Sequence, residues 1–110
     1  MIDIDTNNWF QLIGFNYSMG WTVKVSPRAQ KQMFRLPVRV IDLLLLLVRE
    51  IECHCPVRGN WPNYSQLAKN RHHCHVKKGR PTFVAVWEVV EKEIRVVEVL
   101  YVGSHEKAPY

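Results

Sequence analysis

Three short runs rich in β-branched and aromatic residues close the chain, and their spacing constrains the fold more than any other feature. Arg71 to Lys77, Thr82 to Val89 and Ile94 to Val102 are separated only by the turn-forming stretches KKGRP and VEKE. Connections that short join neighbouring antiparallel strands, so a meander is expected.

The preceding half reads differently. Trp21 to Val25 alternates as a strand, and Ser26-Pro27 supplies a helix N-cap followed by proline at the first helical position, opening a helix to about Leu36. After Pro37 a second helix, about Val38 to Cys53, carries Ile41, Leu44, Leu45, Val48 and Ile51 on one stripe. Leu43 and Leu47 widen that stripe, so both sides of the helix should meet protein. A loop with Pro56, Gly59 and Pro62 leads to the strands. The expected order is βααβββ, an α+β fold with two N-terminal helices packed on an antiparallel sheet.

Residues 1–20 form an extension of uncertain status ahead of a single domain at 21–110. Trp9, Phe10, Leu12, Ile13 and Phe15 make the extension too apolar for a disordered tail, whereas Met19 offers an alternative start directly before the first strand. The six-residue run Leu43 to Val48 is far below the ~20 residues of a membrane span. Three cysteines, an odd number, argue against a disulfide framework, and a soluble protein of the reducing cytoplasm is expected.

The net charge is +5; Asp3 and Asp5 are the only charges before residue 21, so the rest carries +7. No acid lies between Glu52 and Glu88, where Arg58, Lys69, Arg71, Lys77, Lys78 and Arg80 all fall. Such a field suits phosphates.

Alternation along the first meander strand puts His73, His75 and Lys77 on one face and His72, Cys74 and Val76 on the other. Cys74 and Val76 are core residues by type, which assigns the His-His-Lys row to the more accessible face, with Arg80 nearby. Zinc is the competing use for Cys53, His54, Cys55, His73, Cys74 and His75. The C-x-C spacing at a helix end, with His73 and Cys74 on opposite faces, does not match the usual zinc knuckle, so no metal or cofactor is expected.

These elements, with SPRAQKQMFRLP, WPNYSQLAKNRHHCHV and EVLYVGSHEKAPY, resemble the RelE/ParE toxin superfamily over Trp21 to Tyr110. The latter two segments are similar to its YafQ-like, histidine-using branch of ribosome-dependent messenger-RNA endonucleases. By position, the resemblance implies catalytic roles for His75 and for His105 of GSHE, with Tyr110 at a terminal aromatic position. An arginine that RelE carries early in its third strand has no counterpart among Phe83, Val84 and Ala85; Arg80 is the substitute. Metal-free RNA cleavage needs a base and an acid that titrate near neutrality, and histidine serves as both. The expected assignment is His75 as base and His105 as acid, with the reverse open, His73 as orienter or second base, and Arg80 with Lys77 on the phosphorane charge. Tyr110 stacks on a base or bonds the phosphate, Glu106 holds His105, and Arg71, Lys69, Lys77, Lys78 and Lys107 bind RNA. The implied partners are a cognate antitoxin, the ribosome and messenger RNA, with the toxin a monomer or part of a toxin–antitoxin hetero-oligomer. DNA gyrase inhibition, or an inactive basic nucleic-acid-binding module, is the alternative on the same fold.

Overall fold

Residues 20–109 are described by a computed structural model; the expectations placed on residues 1–19 and on Tyr110 lie outside them. Strand β1 (Thr22–Val25) leads into helix α1 (Pro27–Met33), and α2 (Val38–Cys53) follows. Four strands come next: β2 (Ser65–Ala68), β3 (Arg71–Lys77), β4 (Phe83–Glu91) and β5 (Val96–Ser104), with a closing 3-10 turn at His105–Lys107. The α+β architecture and the two helices before the meander are as expected.

Local chemistry sets the helix boundaries. The Ser26 hydroxyl accepts from the Ala29 amide at 3.1 Å, capping α1. The helix ends at Met33 rather than Leu36, because Pro37 disfavours helical backbone before it and the chain closes with i→i+3 bonds from Arg35 to Gln32 and Leu36 to Met33.

The sheet differs from the expected antiparallel meander in two ways. It has five strands in the order β1-β5-β4-β3-β2, and it is mixed, since β1 lies parallel to β5 with Val23 opposite Val97. The first strand must return beside the last because the two helices carry the chain over one face of the sheet before the meander begins. Strand β2 was not expected: Ser-Gln-Leu-Ala has no β-branched residue and is mostly exposed, so it exists through pairing with β3. The β4–β5 turn falls at Lys92–Arg95, two residues later than expected, and Arg95 takes φ 57° there.

One face of the sheet meets the helices. Leu44, Leu47, Val48 and Ile51 of α2 are buried with Val23, Val25, Cys74, Val76, Trp87, Val97 and Val99. The other side of α2 is not covered among the described residues, for Val38 is 75% and Leu46 50% exposed. On the second face of the sheet a smaller cluster joins Val84, Val86 and Tyr101 to Leu67 and Ala108, so the C-terminal segment folds back over the strands.

Candidate active site

Strand alternation sorts the β3 histidines into different environments. His72 faces the helices, stacked 5.9 Å from the Trp87 ring, with Nδ1 2.6 Å from the Tyr64 hydroxyl. Burial pushes its pKa down, so at neutral pH it is a neutral packing residue. Trp61 and Tyr64 likewise pack on the core. His73 and His75 point to the opposite face, as alternation requires, but only His75 is half-open; His73 is 9% exposed and its Nδ1 lies 2.9 Å from the Ser65 hydroxyl of β2. The expectation of an accessible His73 is thus corrected, because the unexpected edge strand flanks it.

His105 reaches this face from the far end of β5. Tyr101 lies across Gly103, where a Cβ would meet its hydroxyl at 2.7 Å, so only glycine permits this ring position. The hydroxyl donates to the Ser104 carbonyl at 2.8 Å, and the His105 amide donates to the Thr82 carbonyl at 2.8 Å. The first bond fixes the end of β5, and the second ties the closing turn to the β3–β4 turn. The latter is itself closed by Thr82, whose hydroxyl donates to the Gly79 carbonyl and accepts from the Gly79 amide. Gly79 has φ 153°, a backbone state that strains other residues.

The result is a row of three imidazoles. The His75 and His105 rings meet edge to face with centroids 5.4 Å apart, and His73 is 6.2 Å from His75 on its other side. His75 and His105 border an open cleft of about 650 Å³ with Gly79, Arg80, Pro81, Thr82 and Glu106. Burial, and then the charges of His105, His73 and Lys78, lower the His75 pKa. His73 is lowered chiefly by burial, with a Ser65 hydrogen bond opposing and His105 adding. Both shifts favour the neutral imidazole, the form that has a free nitrogen to accept a proton.

The basic residues divide. Arg80 lines the cleft, Lys77 Nζ comes within 3.9 Å of the Cβ position at Gly79, and Lys78 is close enough to act on His75. Lys107 is exposed on the closing turn that begins with His105. Lys69 and Arg71, expected to bind RNA, lie away from the cleft: Arg71 opens β3, ~13 Å from His75 at 3.3 Å per residue, and Lys69 sits in the turn before it. Arg71 is bonded to Glu88 at 3.0 Å there.

Glu106 follows His105 on the closing turn and is exposed on the cleft wall. Pro81, Thr82 and Ser65 were missed as neighbours of the site. Thr82, three residues after Gly79, carried a weak turn signal; Ser65 carried none, since its place depends on the β2–β3 register. Cys74 is fully buried and its thiol is pushed up to about 12 by burial, which suits a packing residue and not a nucleophile. Among the described residues no His, Cys, Asp and Glu side chains gather in a metal-holding group. Comparison with family models, with curated proteins and with solved structures finds no match to this chain.

Proposed function

We propose that this protein is the toxin of a type II toxin–antitoxin pair, an endoribonuclease that cuts messenger RNA on the ribosome by metal-independent acid–base chemistry. The observation that carries the reading is the facing His75–His105 pair on the rim of an open cleft with Arg80 beside it. A surface that only binds phosphate is served by Lys and Arg, whereas paired imidazoles add groups that exchange protons near neutrality.

His75, held neutral by its surroundings, takes the proton from a ribose 2′-hydroxyl, and the 2′-oxygen attacks the adjacent phosphorus. Arg80 and Lys77 face the charge that builds on the non-bridging oxygens. His105 gives its proton to the departing 5′-oxygen, so a P–O bond forms to the 2′-oxygen as the bond to the 5′-oxygen breaks. The products are a 2′,3′-cyclic phosphate and a 5′-hydroxyl, and exchange with water restores both imidazoles. His73, anchored on Ser65, orients His75 from behind. An open cleft suits a strand presented by a larger body such as the ribosome.

A cognate antitoxin is the proposed partner in a hetero-oligomer, covering the exposed Phe34, Val38 and Leu46 of the helical face. No helix among the described residues is long and apolar enough to cross a membrane, and cytoplasmic action is part of the proposal. Induced expression tests it: growth arrest should occur with wild type and vanish with His75→Ala and His105→Ala. Arrest that survives both substitutions, without RNA cuts, would favour gyrase inhibition instead.

A further inference from the structure

The geometry points to Glu50, on the helix layer behind the sheet, as a positioning residue for His75. Strand β2 spans only Ser65–Ala68, so the β2 side of β3 is unpaired by strand at His75. The His75 amide instead donates to the Pro62 carbonyl at 2.8 Å, an extra rung supplied by the loop before β2. On its other side the β3–β4 register is irregular between His75 and Lys77, so strand pairing alone holds this residue loosely.

One carboxylate oxygen anchors that loop. Glu50 Oε1 accepts from Trp61 Nε1 at 2.9 Å, Asn60 Nδ2 at 2.9 Å and Arg58 Nη1 at 3.2 Å. Trp61, whose indole faces the carboxylate, directly precedes Pro62. Burial acts to raise the Glu50 pKa, but the bonds from Asn60, Trp61 and Arg58 outweigh it and leave the group below the usual carboxylate range. The anchor is therefore an ionised, three-donor acceptor at neutral pH. The chain of contact runs from Glu50 through the Trp61 indole and the Pro62 carbonyl to the main chain of His75. That this matters to catalysis rests on the proposed ribonuclease reading; the positional statement does not.

Amide hydrogen exchange on the full chain tests it, with Glu50→Ala, Glu50→Gln and Trp61→Phe compared with wild type. Glu50→Ala should speed exchange at the His75 amide by about tenfold or more relative to amides of the central strand β4. Glu50→Gln, which keeps an acceptor oxygen, should restore most of the protection. Trp61→Phe removes one donor and leaves the Asn60 and Arg58 bonds to Glu50 in place, so it should give a smaller shift of the same pattern, readable even if Glu50→Ala does not fold. Uniform acceleration across the sheet, or an unchanged His75 amide in Trp61→Phe and the Glu50 variants, would overturn the inference. RNA cleavage in the same variants should fall in kcat with KM little changed. If wild type itself does not cut RNA, the ribonuclease reading fails while the exchange result still decides the role of Glu50.

Discussion

Gly103→Ala strikes a point where strand geometry and the candidate site depend on a missing side chain. The added methyl would sit 2.7 Å from the Tyr101 hydroxyl and 3.0 Å from Cζ of the same ring, both closer than van der Waals contact allows. The ring is buried against Val84 and Val86, so it has little room to give way. Overpacking of this kind costs about 1–3 kcal/mol. Moving the ring also breaks the bond from its hydroxyl to Ser104, worth about 1 kcal/mol. The sum, about 2–4 kcal/mol, corresponds to a fall of roughly 10 °C or more in Tm for a domain this small. A double-mutant cycle with Tyr101→Phe isolates the cause, because phenylalanine lacks the atom in closest conflict. Tyr101→Phe should destabilise the wild-type protein and be neutral or stabilising in the Gly103→Ala background, a coupling of about 1 kcal/mol. Urea unfolding provides the assay. Strict additivity, or a Gly103→Ala variant within about 0.5 kcal/mol of wild type, would refute the steric reasoning.

Other outcomes follow from the same structure. Glu52 is buried and its pKa is raised to about 7 by burial, with Arg49 opposing, so its favourable contribution is complete below 4.5 and gone above about 7. Glu52→Gln should therefore stabilise the protein by about 1–3 kcal/mol at pH 8 and hardly at all at pH 4. His72, His73 and His75 have folded pKa values below 6.5, so their contribution is whole above 6.5 and is lost as pH falls. In the Glu52→Gln background the unfolding midpoint should accordingly drop from pH 7 to pH 5; a flat profile would contradict the burial of these imidazoles. A thiol reagent should label Cys53 and Cys55 in the native protein and reach Cys74 only after unfolding, since Cys74 alone is sealed in the core.

The parts of the fold legible in the sequence were those with strong local signals. Ser26-Pro27 marked the start of α1, the Leu-rich period marked α2 from Val38 to Cys53, and alternation assigned Cys74 and Val76 to the core. What escaped reading depends on tertiary pairing. Ser-Gln-Leu-Ala becomes β2 only because β3 offers it an edge, and β1 is parallel only because the helices return it beside β5. The site was legible in the same proportion. His75, His105 and Arg80 stand out by residue type and the structure brings them to one cleft, whereas the burial of His73 depends on β2. The distance of Lys69 and Arg71 from the cleft is not legible from charge along the chain, because a strand separates its two ends in space. The anchoring by Glu50 joins residues eight to eleven apart through a loop without periodicity, which no pattern in the sequence foretells.

The proposed reaction requires His75 and His105 to exchange protons with RNA across one cleft. Primer extension on a reporter messenger RNA bound to purified ribosomes, with wild type, His75→Ala, His105→Ala and Lys69→Ala, tests this most directly. Discrete new ends are predicted with wild type and with Lys69→Ala, and none with either histidine variant. Cuts that persist in both histidine variants, or that vanish with Lys69→Ala while the histidine variants remain active, would contradict it.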